Sequence, residues 1–158
     1  MAKHDPKELI ADLITGRIDS EALLQLQRKE KDPGRLSTIC QIYQEMLGWP
    51  EPVVGLVQEH LLLVDAGSGE RTVRCTCGYD FGDCRRNWKE GALVYERHPR
   101  DGQIYTGPRG ADPDWMVLRE FYCPGCSVQL DVEMVPPGYP FIFHFLPADV
   151  ETDQETAG

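Results

Sequence analysis

Two short cysteine pairs constrain the fold of this chain more than any other feature of its sequence. Cys75 and Cys77 belong to a C-x-C-G turn, and Cys123 and Cys126 to a C-P-G-C turn, each at the end of a predicted strand. Such turns direct both sulfurs to one side, and two of them brought together make the tetrahedral four-sulfur site that zinc prefers. The sequence therefore predicts a structural zinc ion that joins distant parts of a β domain.

Other interpretations of the cysteines stay open. Cys84 follows Cys77 closely and could replace one of the four ligands, whereas Cys40 lies on the apolar face of a predicted helix and is assigned to the core. The four thiols could also be buried without a metal, hold a different metal, or include a redox-active Cys123/Cys126 pair. A thioredoxin-like C-x-x-C opens a helix, but the residues after Cys126 alternate like a strand, which favours the metal.

The first third of the chain reads as helical and the rest as β. Asp5-Pro6 and Asp32-Pro33 are helix start signals, Asp19 or Ser20 can cap a helix between them, and Gly16 and Gly48 are stops. The predicted strands of one antiparallel sheet are Leu61–Val64, Thr72–Cys75, Ala92–Tyr95, Met116–Phe121 and Val128–Val132.

We therefore predict an α+β fold in three parts. Residues 1–48 form a helical N-terminal arm, residues 53–148 form an antiparallel zinc-ribbon-like β domain, and residues 149–158 form an acidic C-terminal tail. The segment Trp49-Pro50-Glu51-Pro52 is a hinge, because two prolines in three residues do not continue a helix.

The acidic charge balance restricts the partners of the chain. The formal net charge is −10, which disfavours nucleic acid and anionic membrane surfaces, since both are bound through basic groups. No stretch approaches the roughly 20 apolar residues that span a bilayer, and no apolar segment of a secretory signal follows the N-terminus. We expect a cytoplasmic protein whose partners are other proteins or neutral molecules.

Local motifs give no support for catalysis by this chain alone. Gly67-Ser68-Gly69 lacks the lysine and helix of a phosphate-binding loop, and neither a G-x-S-x-G nor an H-E-x-x-H element is present. The four histidines are scattered without partners at catalytic spacing. We predict no catalytic residue.

An alternating aromatic segment is the second candidate site. Tyr139, Phe141, Phe143 and Phe145 would fall on one face of an extended segment. They either cover the core of the domain as a strand or form a stripe that docks onto another subunit, together with Trp88.

These motifs in combination resemble the gamma subunits of the acetone carboxylases. The stretches that carry the resemblance are Arg74-Cys75-Thr76-Cys77-Gly78, Asp80-Phe81, Asn87-Trp88-Lys89, the run from Arg119 to Cys126, Val132-Glu133 and Pro137-Gly138-Tyr139-Pro140 with Phe145 and Pro147. They extend over about residues 70–150, with a weaker similarity in the helical arm. A generic zinc ribbon needs only the cysteines, so the combination is specific.

The resemblance implies an accessory subunit of an ATP-dependent ketone carboxylase. Such a ligase converts a methyl ketone and bicarbonate into a 3-oxo acid: acetone into acetoacetate, or acetophenone into benzoylacetate. ATP and a divalent metal are expected only in the larger partner subunits of the hetero-oligomer, and the small subunit contributes a zinc-ribbon-like module. A histidine follows the C-x-C-G element in the acetone enzymes, and their chains run further past the Tyr-Pro segment. Tyr79 and the end at Gly158 therefore favour acetophenone carboxylase.

Two other functions compete with this one. The first is a stand-alone zinc-ribbon module that binds protein or nucleic acid, which the charge opposes in the case of nucleic acid. The second is a dithiol redox protein that uses Cys123 and Cys126.

Overall fold

The computed structural model describes residues 4–97, 112, 114–145 and 147. The N-terminal part contains the three predicted helices, α1 (Lys7–Ile14), α2 (Ser20–Arg28) and α3 (Arg35–Leu47). Among the described residues, no helix combines the length and the apolarity that a membrane crossing requires. The predicted acidic tail, residues 149–158, lies outside the described residues.

The helix ends follow the capping signals of the sequence. α1 begins directly after Pro6, and the carboxylate of Asp19 accepts hydrogen bonds from the backbone N–H groups of Glu21 and Ala22 at the start of α2. α3 ends at Gly48, whose φ of 62° is the left-handed conformation that glycine adopts without steric cost.

A buried carboxylate ties the first residues of the chain to the helices that follow. Burial alone would raise the pKa of Asp5, but ion pairs and hydrogen bonds with Lys29 and Arg35 hold that pKa below its ordinary range. Asp32 receives the backbone N–H of Asp5 at 2.7 Å. The start of α1 is thereby fixed against the end of α2 and the start of α3.

The helical arm packs directly on the β part. Tyr43 of α3 shares a core cluster with Val53, Leu62 and Val64, and its hydroxyl donates to the backbone oxygen of Glu59 at 2.9 Å. A separate cluster around the fully buried Ile10 holds the three helices together. The proline segment after α3 therefore connects two packed units.

Within the described part of the chain, seven antiparallel strands form two sheets. Sheet A has the order β1 (Val53–Gln58), β2 (Leu61–Gly67), β3 (Glu70–Cys75) and β4 (Asp80–Asp83). Sheet B has the order β5 (Leu93–Arg97), β6 (Val117–Tyr122) and β7 (Gln129–Val135).

The α+β class and the antiparallel pairing are confirmed, and the prediction of one sheet is wrong. All five predicted strands are present with shifted ends, and β1 and β4 were not predicted. A 3₁₀ helix, Trp88–Gly91, turns the chain between β4 and β5, so that β5 pairs with β6 instead of extending sheet A. The core shared by the two sheets contains Trp88 and Phe121, together with two of the predicted zinc ligands.

Candidate metal centre

The first cysteine turn closes the hairpin between β3 and β4. The backbone N–H of Cys75 donates to the carbonyl of Tyr79 at 2.8 Å, and the N–H of Gly78 donates back to the carbonyl of Cys75 at 2.8 Å. These two bonds fold residues 75–79 into a tight knuckle. The knuckle presents Cys77 to solvent and leaves Cys75 fully buried.

The second cysteine turn closes the hairpin between β6 and β7 in the same way. The N–H of Cys123 donates to Val128 O at 3.0 Å, and the N–H of Ser127 donates to Cys123 O at 2.8 Å. The N–H of Gly125 points at the sulfur of Cys123 at 3.3 Å. Backbone donors of this kind stabilise a thiolate, because they supply positive partial charge where the negative charge lies.

The two knuckles bring four sulfur atoms together from two different sheets. Cys75, Cys77, Cys123 and Cys126 offer sulfurs that all lie within 4.8 Å of one another. Cys75 Sγ is 3.8 Å from Cys126 Sγ, and Cys77 Sγ is 3.7 Å from Cys123 Sγ. A tetrahedron with zinc–sulfur bonds of about 2.3 Å has edges of about 3.8 Å. The arrangement could hold a metal ion of that size and coordination.

The protonation of the cluster depends on what lies at its centre. Burial raises the pKa of the Cys75 thiol well above its ordinary range, with the neighbouring Cys123 adding to the effect. Four sulfurs this close cannot all carry a charge unless a cation balances them. A divalent soft cation supplies that balance, since a coordinating thiol is deprotonated outright. The donor set therefore fits zinc.

The remaining two cysteines lie elsewhere. Cys84 is 2% exposed in the core between the sheets and is absent from the group of four sulfurs. Cys40 is half-buried beside Tyr43 on α3, as its position on the apolar helix face predicts. The geometry thus gives Cys84 no place among the four.

A series of aromatic rings in contact with one another connects the first knuckle to the core between the sheets. The rings of Tyr79, Phe81, Trp88, Phe121 and Phe141 make successive edge-to-face contacts, with centroids 5.0 to 6.2 Å apart. Trp88 is only 3% exposed, so its ring packs inside this chain and is not presented on the surface. Packing of this kind fixes the position of the knuckle relative to sheet B.

The aromatic segment has no strand pairing in the structure, contrary to the expectation of an extended strand. Phe141 and Phe145 pack against the core, and the side-chain amide of Asn87 donates to Phe141 O at 3.0 Å. Tyr139 is 49% exposed and Phe143 is half-buried. Two of the four rings therefore cover the core of this chain, and docking by Tyr139 and Phe143 stays a prediction.

A buried charge cluster was not found by the sequence reasoning. The ammonium of Lys89, 1% exposed, lies 2.5 Å from a carboxylate oxygen of Asp131 and 2.5 Å from one of Glu133. Arg119, also buried, lies 3.9 Å from Glu133. His144 completes a group with the two carboxylates that resembles a metal site, but the ammonium of Lys89 contacts both carboxylates and, with the guanidinium of Arg119, balances their charge. The sequence signal for this cluster was the i, i+2 spacing of Asp131 and Glu133, which places both carboxylates on one face of a strand.

The comparison with known families decides the assignment. Residues 47–156 match the model of the acetone carboxylase gamma subunit family, and this range contains both knuckles and all seven strands. The chain belongs to that family. The acetone carboxylase gamma subunit of Xanthobacter autotrophicus is 38% identical over 145 residues, which cover 90% of this chain and 86% of the relative.

A second relative belongs to a different carboxylase. The acetophenone carboxylase beta subunit of Aromatoleum aromaticum is 37% identical over 81 residues, which cover 49% of this chain and 59% of the relative. Both relatives are named as subunits of ketone carboxylases. The resemblance stated from the motifs is therefore confirmed, and it extends into the helical arm.

Proposed function

We propose that this chain is the small accessory subunit of an ATP-dependent ketone carboxylase, and that a structural zinc ion on Cys75, Cys77, Cys123 and Cys126 stabilises it. The observation that carries the proposal is the four-sulfur cluster within a chain of the acetone carboxylase gamma subunit family. A closed four-cysteine site offers no open coordination position for a substrate, so the zinc has a structural role.

The chemistry of carboxylation then belongs to larger partner subunits in the cytoplasm. They bind ATP, a divalent metal and the ketone, while this chain contributes no catalytic residue. Its relatives are named as subunits, which supports a hetero-oligomer. The net charge of −10 favours protein partners with basic surfaces.

Acetone is the first substrate to test and acetophenone the second. The acetone carboxylase subunit aligns with 90% of this chain, against 49% for the acetophenone carboxylase subunit. Tyr79, which favoured acetophenone, packs on Phe81 within this chain. A ring that contacts another ring of the same chain and is otherwise 37% exposed gives little information about a substrate bound by another subunit.

The sulfur contacts favour a metal centre over the competing redox function. The contacts of 3.7 and 3.8 Å each join a cysteine of one knuckle to a cysteine of the other. A dithiol redox centre would use Cys123 and Cys126 alone and leave the first knuckle without a role. Metal-bound thiolates do not cycle between thiol and disulfide.

Co-expression with the large subunits of a ketone carboxylase from the same organism tests the function. We expect the tagged chain to purify with them as a stable complex. That complex should consume a methyl ketone and bicarbonate with hydrolysis of ATP. Assays with acetone and with acetophenone identify the ketone. Purification of the chain as a monomer without any carboxylase subunit would overturn the proposal.

Gly125→Ala is expected to impair zinc retention by steric means alone. A β-carbon at residue 125 would lie 3.2 Å from Cys77 Sγ and 3.0 Å from Tyr79 Cβ, so that the two knuckles must move apart. Gly91→Ala is the matched control, because its added β-carbon meets only the ring edge of Phe81 at 3.4 Å. Zinc release in a competition with a chromogenic chelator should be faster for Gly125→Ala than for the control. Equal release rates would show that the approach of the knuckles does not control zinc binding.

A further inference from the structure

The edge of sheet B has an unusual composition at β5. This strand lies at one end of the order β5-β6-β7, and within the described part of the chain only β6 pairs with its backbone. Three consecutive apolar residues, Leu93, Val94 and Tyr95, are 53%, 40% and 46% exposed. Because successive side chains of a strand point to opposite faces, both faces of β5 present apolar surface.

Among the described residues, the usual protection of an edge strand is absent at β5. Exposed edges are commonly guarded by charged side chains that oppose pairing with another strand. The two charged side chains of β5 instead pair with residues of β6. Glu96 accepts a hydrogen bond from Arg119 at 2.9 Å, and Arg97 donates one to Glu120 at 2.6 Å. Both charges of β5 are therefore paired, although the Glu96 side chain stays 56% exposed, and the three residues before them are apolar.

The opposite edge strand of sheet B, β7, has one face already buried. On β7, Val132 and Met134 are exposed on the outer face, but Glu133 and Val135 are buried on the inner face. A strand added beside β7 would meet a core already closed by Phe141 and its neighbours. At β5 each face keeps a partly exposed apolar side chain among the described residues, Val94 on one and Tyr95 on the other, so an added strand could bury side chains on each side.

We propose that β5 is the docking edge for an extended segment of a larger carboxylase subunit, which adds to sheet B as a fourth strand. The inference rests on the proposed function. The segment carries apolar side chains at alternating positions to cover Tyr95 on one face and Val94 on the other, with uncharged residues where it passes the paired Glu96 and Arg97. Basic residues flank it, because the chain it approaches carries a net charge of −10.

The charge balance also selects this occupant over a second copy of the chain. Two copies paired through β5 would each bring a net charge of −10 to the contact. Like charges of this size oppose self-association at low ionic strength. A larger subunit with basic flanking residues gains attraction instead.

The proposal is tested by lysine substitutions in the complete complex. Val94→Lys and Tyr95→Lys place a charge on each exposed face of β5, and Met134→Lys and Leu36→Lys are matched controls at exposed apolar positions elsewhere. Capture of the large subunits should fall by at least about tenfold for the two β5 variants. The controls should stay within about twofold of the unmodified chain. Melting temperatures of the free variants establish that each remains folded.

Amide hydrogen exchange distinguishes the addition of a strand to β5 from binding through the β5 side chains alone. We expect the amides of residues 93–97 to exchange more slowly in the complex than in the free chain, because the added strand pairs with them. Unchanged exchange at residues 93–97 would overturn the inference. So would capture of the large subunits by Val94→Lys and Tyr95→Lys as efficient as capture by the unmodified chain. Either result would leave the proposed function intact. A dimer of the free chain that Val94→Lys disrupts would also overturn it. Failure of the unmodified chain to capture any carboxylase subunit would instead refute the proposed function.

Discussion

Cys123→Ser is expected to abolish zinc binding and cooperative melting of the β part of the chain. Cys123 is fully buried and lies 3.7 Å from Cys77 Sγ, so its loss opens the centre of the four-sulfur group. Structural zinc sites contribute about 10–16 kcal/mol of apparent binding free energy at neutral pH. The whole stability of a small domain is about 5–15 kcal/mol. Elemental analysis and calorimetry of the purified variant measure both effects.

Cys84→Ala and Cys40→Ser are the controls for this experiment. Both remove a thiol from the same chain, and neither residue belongs to the group of four sulfurs. Each control should bind as much zinc as the unmodified protein, although Cys84→Ala creates a small cavity and lowers the melting temperature. Full zinc content and a cooperative transition in Cys123→Ser would show that Cys123 is not a ligand.

Lys89→Ala is expected to lower the free energy of unfolding by about 3–5 kcal/mol, because it leaves the buried carboxylate of Glu133 without its nearest cation. Glu133 is 4% exposed and its nearest ammonium is that of Lys89, at 2.5 Å. The same carboxylate accepts the backbone N–H of Ile142 at 3.0 Å, so the aromatic segment should loosen as well. Chemical denaturation at constant pH measures the loss.

Lys7→Ala is the matched control for the buried lysine. Lys7 pairs with Glu45 at 2.7 Å, but both side chains are substantially exposed. Exposed ion pairs contribute about 0–1 kcal/mol, so this substitution should be nearly neutral. A loss for Lys89→Ala no larger than that of the control would mean that the charge cluster does not stabilise the fold.

The features that the sequence predicted well are those with local chemical causes. The cysteine turns are specified by Gly78 and Gly125 beside their sulfurs, and the helices by Asp19, Pro6 and Gly48 at their ends. These signals act within a few residues, and tertiary packing did not override them. The grouping of the sulfurs from two hairpins was predictable because two short cysteine pairs at the ends of strands favour a shared metal site.

The inward face of β7 could not be predicted from alternation. Leu130 is buried, but Val132 and Met134, which lie on the same face of a regular strand, are exposed, whereas Glu133 is buried. The pairing with β6 slips by one residue between Phe121 and Tyr122, and a one-residue bulge exchanges the two faces of a strand. The burial of the charged face depends on Lys89, which lies far from Glu133 in the sequence.

The two unpredicted strands also have physical explanations. β1 pairs irregularly with β2 on both sides of Gly55, so its apolar residues do not alternate. β4 has four residues, Asp80–Asp83, two of which are acidic. β1 contains three valines, which favour a strand, but its irregular register hides the alternation that marks one. β4 lacks strand propensity of its own and is held by pairing with β3. Pairing between strands is a tertiary property that a short sequence window does not contain.

Metal analysis of the co-purified carboxylase complex, combined with alkylation of this chain under native conditions, tests the central claim most directly. Our account predicts one zinc ion for each copy of this chain, with Cys77 and Cys126 protected from alkylation although both are exposed in the structure. Removal of the zinc by a strong chelator should make both thiols react and release the chain from the complex. A folded, assembled chain without metal, in which Cys77 and Cys126 react freely, would contradict the account.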